Sequence, residues 1–265
     1  QHQAMNSAKA ESQNHAIATR EPTNRLDAFS INPGAREHAN AKGYTVVDLA
    51  TIMTTHLTDV IRRHAHELVG RQEIQKMLDS IKGSHPKVVE ELVPNLMSLG
   101  GVVRVIQNLL QEQVPVRDLL TIMETLADWA PTTKKMDILT EHVRQALART
   151  ISSFYQTDDG QLHVLTLDQR VEKKVAESLQ QTDQGTFLAI DPAYAKSIMD
   201  DLTIKMEDYK SLGVQPLLVC SSQIRSHFKK LADRFIPGLA ILSYDEIVSS
   251  TKIQIVGTVE ASDAD

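Results

Sequence analysis

Residues 43–79 read GYTVVDLATIMTTHLTDVIRRHAHELVGRQEIQKMLD, and this stretch decides how the first part of the chain folds. Val46 and Val47 are β-branched and predict a short strand, and Thr51 and Thr54 are candidates to cap the helix that follows. Large side chains then recur at helical spacing, namely Leu57, Ile61, His64 and Leu68. That spacing predicts a helix with one face turned toward a core. No nucleophile–base pair or metal-ligand spacing accompanies it, so the stretch predicts a strand-to-helix unit.

Composition limits the classes of function. The chain has 265 residues, of which 42% are hydrophobic and 23% charged, values typical of one or two globular domains. Its formal net charge of -6 argues against nucleic acid as a partner, because nucleic acid is held mainly by Lys and Arg. A single cysteine, Cys220, excludes an internal disulfide. No run of about 18 apolar residues occurs, so the chain as given is expected to be soluble.

Farther along, the periodicity changes from helical to alternating. Residues 84–154 have apolar side chains at helical spacing, interrupted at Pro94, Pro115 and Pro131, and so predict a helical subdomain. After a turn at residues 158–160, the segments TFLAI, PLLVC, LAILS and KIQIVGTV predict strands. We therefore predict an α+β fold with an incomplete N-terminal strand-helix portion, a helical middle subdomain and a C-terminal α/β subdomain.

Three histidines, His56, His64 and His66, suggest a metal site, since His56 and His64 share a helix face and Glu67 is close in sequence. However, their spacing matches no zinc motif, and no cysteine supports the site. Packing or surface roles are therefore favoured, and no metal is predicted.

Cys220 lies where a strand ends and a helix begins, a position at which a thiolate can be stabilised. No second cysteine or adjacent base accompanies it, which favours a small buried side chain. Arg117, Asp118, Glu124 and Arg144 suggest a charge cluster, but surface ion pairs and contacts between subdomains are favoured. Gly-rich phosphate loops are absent, so neither a cofactor nor a catalytic residue is predicted.

Long motifs follow one another along the chain. They are GYTVVD, THL, HAHELVGRQE, ELVP, LQEQVPVRDLLTIMETLADWA, HVRQAL, SLQQTDQGTFLAIDP, PLLVCSSQIR and LSYDEI. In this order they resemble the cytoplasmic domain of the flagellar type III export-gate (FlhA) family and its injectisome relatives of the InvA and LcrD type. The resemblance covers residues 21–259, and the motifs are more similar to the flagellar branch than to the injectisome branch. Residues 1–20 match nothing in the family.

The resemblance implies a cytoplasmic export-gate domain that docks chaperone–substrate complexes for protein secretion without catalysing a reaction. It also implies a nonameric ring, other export-apparatus components as partners, and a full-length protein that spans the bacterial inner membrane and presents this domain to the cytoplasm. The family's chaperone dimple corresponds to Val47, Ile52 and Thr55. Stiff β-branched side chains there suit a shallow groove for a partner helix, although the residues alone favour a core role.

The expected organisation has five segments. They are a flexible leader at 1–20, a partial N-terminal subdomain at 21–82, a helical subdomain at 83–157, an α/β subdomain at 158–259 and an acidic tail at 260–265. Because the resembled proteins carry membrane helices and a further upstream part, we expect a fragment or a natural truncation. Two alternatives stay open: an enzyme that uses Cys220 or His227, and a truncated paralogue without function.

Overall fold

A computed structural model describes residues 2–5, 17–20, 27–182, 185–212 and 214–261. The chain divides into two compact units, Gln1–Leu68 and Val69–Asp265. The division falls before the boundaries expected after residues 82 and 157. Within the described residues, no helix combines the length and the apolar composition that crossing a membrane requires.

The N-terminal unit contains a four-stranded antiparallel sheet and two helices. The strands are β1 (His2–Met5), β2 (Ile17–Arg20), β3 (Asp27–Ile31) and β4 (Thr45–Asp48). They lie in the order β2-β3-β1-β4. The helices are α1 (Arg36–Ala41) and the long α2 (Leu49–Leu68). A small core forms where Ile31 and Ala39 are buried against Phe29, Tyr44 and Val46.

Two of these strands correct the prediction of a flexible leader at residues 1–20. β1 and β2 both fall inside that segment, and β1 pairs with β3 on one side and β4 on the other. The polar sequence gave no sign of this, because backbone hydrogen bonds to two neighbours, rather than apolar side chains, define a central strand. Residues 1 and 6–16 of the expected leader lie outside the described residues.

The C-terminal unit begins with a helical portion. Its helices are α3 (Arg71–Lys82), α4 (Pro86–Glu90), α5 (Leu99–Gln111), α6 (Leu119–Trp129), α7 (Met136–Ala146) and α8 (Ala148–Tyr155). Ser98 caps α5 by accepting the Gly101 backbone N–H, and Asp118 caps α6 by accepting that of Thr121. An irregular turn at Glu91–Leu96, which contains Pro94, separates α4 from α5.

An α/β portion follows. Its elements are β5 (Gln161–Leu167), α9 (Gln169–Glu177), β6 (Leu179–Thr182), β7 (Gly185–Leu188), α10 (Pro192–Leu212), β8 (Leu217–Cys220), α11 (Ser222–Ala232), β9 (Ala240–Ser243) and β10 (Lys252–Val259). Four strands form a parallel sheet in the order β10-β5-β8-β9, whereas β6 and β7 pair with each other in a separate two-stranded sheet. The predicted α+β class is confirmed.

Alternate residues of the parallel sheet belong to two different cores. On one face, Leu162, Val219 and Leu242 pack into the core that contains the buried side chains of α3 to α8. On the other face, Leu165 and Leu218 pack with α9 to α11. The helical and α/β portions therefore share a core, which explains why the chain does not divide near residue 157.

Candidate functional site

The junction between β4 and α2 holds the residues that the sequence singled out for docking. Asp48, the last residue of β4, caps α2, because its carboxylate accepts the Thr51 backbone N–H at 2.9 Å and the Thr51 hydroxyl at 2.8 Å. These hydrogen bonds, the backbone one first, lower the pKa of Asp48. The prediction that Thr51 and Thr54 cap the helix is wrong, since both lie inside α2. Asp48 fixes the angle at which the helix leaves the sheet.

Val47, Ile52 and Thr55 all lie within this junction. Val47 is half-buried on β4 and faces away from Val46, which packs into the small core. Ile52 is only 5% exposed, and Thr55 is exposed one turn later on the same face of α2. The structure thus places the three residues close together in sequence across the β4–α2 junction, with Ile52 buried and Thr55 exposed.

A second surface of α2 is apolar and exposed. It consists of Leu49, Met53, Leu57, Val60, Ile61 and Leu68. We call these residues the α2 stripe. Leu57 is 59% exposed, and Ile52 is the only buried residue of the helix. The prediction that the face of Leu57 and Ile61 turns toward a core is therefore wrong for this structure.

The two surfaces point in different directions. At about 100° per residue, Thr55 lies about 160° around α2 from Met53 and Leu57, whereas Ile52 lies about 140° from Leu57 but only about 60° from Leu49. A partner that contacts Met53 and Leu57 would therefore leave Thr55 free on the far side of the helix. This separation allows the two faces to be tested independently.

The histidines of α2 do not gather into a ligand set. His64 Nδ1 lies 2.8 Å from a Glu67 carboxylate oxygen, and this hydrogen bond lowers the pKa of Glu67. The Nδ1 atoms of His56 and His66 are buried without a hydrogen-bond partner among the described residues. No group of three His, Cys, Asp or Glu side chains in the described part of the chain could hold a metal ion.

Cys220, the reactive group of the alternative enzyme hypothesis, is fully buried at the end of β8. Burial raises the pKa of its thiol, so the thiolate is disfavoured at neutral pH. Burial also lowers the pKa of the half-buried His227, and the charge of Lys230 adds to this. The geometry therefore argues against a cysteine nucleophile here.

A network of buried charges joins the helical and α/β portions of the C-terminal unit. Arg144 of α7 donates to both carboxylate oxygens of Glu246, at 2.7 and 2.9 Å, and to Glu112 at 3.1 Å. Arg225 of α11 donates to Glu112 at 2.6 Å and makes a two-pronged contact with Glu141. Of the four charges considered in the sequence, Arg144 belongs to this network and Asp118 is a helix cap.

Electrostatics keep this network ionised. Burial alone raises the pKa of Glu112, but the charges of Arg144 and Arg225 outweigh it and lower the pKa to about 2. Beside the network lies a cavity of about 260 Å³, lined by polar groups that include Gln113 and Lys229. Since each arginine has carboxylate partners, the arrangement ties secondary structure together and leaves no unpaired base for catalysis.

The sequence alone did not predict the set formed by Glu112, Glu141, Arg225 and Glu246. One signal was available: Arg225 stands between Ile224 and Phe228 of α11, on the side of the helix that faces the core. A charge at an inward position requires a buried partner. The partners themselves lie up to 113 residues away in sequence, so no local pattern identifies them.

Fold and site together define a class: an α+β protein with an exposed apolar stripe on α2 and a buried network of paired charges. The sequence model of the FHIPEP family matches residues 1–252. The chain therefore belongs to the FHIPEP family. The match includes residues 1–20, which corrects the prediction that this segment has no counterpart in the family.

Similar curated proteins and solved structures support the same family assignment. The chain is 40% identical to the flagellar biosynthesis protein FlhA of Bacillus subtilis over 244 residues, which cover 92% of this chain and 36% of that protein. It is 35% identical to FlhA of Escherichia coli over 242 residues, covering 91% and 34%. This chain thus spans about a third of the length of these relatives.

Two solved structures show the same fold. The nonameric SctV-C of EPEC superposes with a TM-score of 0.77 at 27% identity, covering 97% of this chain and 78% of that one. The CdsV protein of Chlamydia pneumoniae gives a TM-score of 0.84 at 25% identity, covering 98% and 75%. The resemblance to the export-gate family and its injectisome relatives is confirmed.

Proposed function

We propose that this chain is part of the cytoplasmic domain of a flagellar type III export gate and that it docks chaperone–substrate complexes for secretion. The observation that carries the proposal is the family membership, supported by FlhA proteins that are 33–40% identical. Buried Cys220 and the paired charges of the C-terminal unit also favour binding over catalysis. In the complete protein, this domain would lie at the cytoplasmic face of the bacterial inner membrane.

The proposed docking site is the surface formed by Val47, Ile52 and Thr55. A β-branched strand end followed by a capped helix start gives a stiff surface, because few rotamers are available to Val and Thr. A stiff apolar surface suits the apolar face of an amphipathic helix. Because the side chains of the site are already restricted, the site would lose little conformational entropy when such a helix binds. Thr55 is exposed and would be the part of the site that such a helix contacts first, whereas Ile52 is only 5% exposed.

We also propose that the chain assembles with copies of itself and with other export components. Two neighbours of the same fold, SctV-C and the EscV cytosolic domain, are nonameric, and CdsV has been solved in complex with CdsO. These assemblies are properties of those proteins. Their likeness over most of this chain supports a homo-oligomeric ring as the working form here.

Two variants of α2 test the docking site. Thr55→Lys places a long charged side chain at the open edge of the site, whereas Leu57→Asp places a charge on the opposite face of the same helix. The probe is a flagellar export chaperone carrying its filament-type cargo, with affinity measured by calorimetry. We expect Thr55→Lys to weaken binding about tenfold, or roughly 1.4 kcal/mol, and Leu57→Asp to leave it unchanged.

Both substituted positions are exposed, so the variants should fold, and circular dichroism checks this. If Leu57→Asp lost affinity while Thr55→Lys did not, the α2 stripe would be the docking surface instead. Equal binding by both variants would remove α2 from the interface. Ile52→Asp is a less clear test, because its side chain is buried and the charge also threatens the fold.

A further inference from the structure

The single tryptophan of the chain lies at the surface. Trp129 is the last residue of α6 and is 41% exposed. Its ring stacks on His142 of α7, with the ring centroids 3.6 Å apart and the planes inclined by 8°. Ile138 lies one turn before His142 on the same face of α7 and is also exposed. We call these three side chains the Trp129 patch.

The backbone holds the patch rigidly. The carbonyl oxygen of Trp129 accepts the backbone N–H groups of Thr132 and Thr133, at 3.0 and 3.2 Å, and the Thr132 hydroxyl at 2.8 Å. One turn before Trp129 and His142, Leu126 and Leu139 are fully buried. A ring that stacks on a neighbouring ring, at a helix end held by hydrogen bonds, has less conformational freedom left to lose when a partner covers it.

The chemistry of the patch suits a protein partner. Tryptophan is enriched at the centres of protein interfaces, where it contributes a large contact area. Burial lowers the pKa of His142, which keeps its imidazole neutral near pH 7, so the patch carries no charge of its own. Among the described residues, Trp129 is the only exposed ring stacked face to face on another ring.

We infer that the Trp129 patch is one side of the contact between copies of this chain. The inference rests on the proposed homo-oligomeric ring and names a surface for it. A closed ring is built from heterologous contacts, in which each subunit offers two different surfaces to its neighbours. The nonameric SctV-C, which matches 97% of this chain, shows that this fold assembles in such a ring. A rigid, uncharged aromatic patch on a well-packed unit fits one of the two surfaces.

Sedimentation velocity across a range of chain concentrations tests the inference, and tryptophan emission reports on the patch directly, since Trp129 is the only tryptophan. We expect the unmodified chain to associate as its concentration rises, with its emission shifting to shorter wavelength. Trp129→Ala and Ile138→Asp should each raise the dissociation constant at least tenfold. Phe235→Ala is the matched control, because Phe235 is another exposed aromatic residue of the same unit and should have no effect.

Circular dichroism establishes that each variant is folded. Association of both patch variants at the affinity of the unmodified chain would overturn the assignment of the patch while leaving the ring proposal standing. A chain that stays monomeric at every concentration, with unchanged emission, would overturn both. Loss of association in Phe235→Ala as well would show a general effect of surface aromatic residues and would also count against the patch.

Discussion

Helices α2 and α5 are both amphipathic, but the apolar face of α5 is buried and that of α2 is largely exposed. The 20 residues of α2 bury only Ile52, whereas α5 is shorter, with 13 residues, and buries Val102, Val105 and Ile106 among others. The two helices differ in burial because they belong to different units. The described residues of the N-terminal unit bury few apolar side chains, while the C-terminal unit packs two cores against one sheet. We therefore expect the C-terminal unit to be the more stable of the two, whereas the N-terminal unit leaves the α2 stripe exposed.

The largest expected difference between the units lies in their ion pairs. Arg225→Met leaves Glu112 and Glu141 buried without their main partner and should cost about 3–5 kcal/mol of unfolding free energy. The matched change in the N-terminal unit, Arg63→Met, removes an exposed pair with Asp59 and should cost less than about 0.5 kcal/mol. Urea denaturation followed by circular dichroism measures both. Similar small losses would show that the buried network does not hold the unit together.

Leucine truncation compares the two helices directly. Leu109→Ala removes a fully buried side chain of α5 and should cost about 2–5 kcal/mol, because it leaves a cavity. Leu57→Ala in α2 should change stability by less than about 0.5 kcal/mol, since that side chain is already in water. Thermal unfolding of the two variants measures both losses of stability. A large loss from Leu57→Ala would mean that the α2 stripe is covered in solution.

Acid should destabilise the C-terminal unit through Glu112. The pKa of Glu112 is lowered from 4.5 to about 2, so its contribution is present above pH 4.5 and is lost as the pH falls toward 2. At pH 3 the loss should be about 2 kcal/mol, from 1.36 kcal/mol per pH unit. Emission of Trp129, which lies in this unit, follows the unfolding. Glu112→Gln should flatten the pH dependence between pH 5 and about 3, and an unchanged slope in this variant would contradict the assignment.

The smallest expected difference in stability is between substitutions at the ends of two helices. Both α1 and α5 end in a turn where a backbone N–H reaches back five residues, from Tyr44 to Ala39 and from Val114 to Leu109. The left-handed position is Gly43 after α1 but Gln113 after α5, with φ angles of 80° and 58°. Gly43→Ala should therefore destabilise by about 1 kcal/mol, and Gln113→Gly should stabilise by up to about 1 kcal/mol. Thermal unfolding checks the two variants: the melting temperature should fall for Gly43→Ala and rise for Gln113→Gly.

Much of the fold could be predicted from the sequence, because periodicity reports which side chains share a face. It located α2 and the strands β8 and β9. It failed on what covers a face: Leu57 and Ile61 have the spacing of core residues but are exposed. Burial depends on elements distant in sequence, which local spacing does not encode.

The docking residues illustrate the same limit. Val47, Ile52 and Thr55 came from the motif resemblance, and their role in docking stays a proposal. The sequence did not indicate that Thr55 lies opposite an exposed Leu57, because Leu57 and Ile61 were expected to face a core. The strands β1 and β2 were missed for a different reason: their pairing depends on the backbone of β3 and β4, which leaves no apolar signature.

Amide hydrogen exchange with and without a chaperone–cargo complex tests most directly whether the N-terminal unit is the docking unit. In the free chain, the amides of α2 should exchange faster than those of α5, since α2 buries so little of its surface. Addition of a flagellar export chaperone with its filament-type cargo should slow exchange in β4 and the first turns of α2 and leave α5 unchanged. Protection that appeared only in the C-terminal unit, or nowhere, would contradict the account.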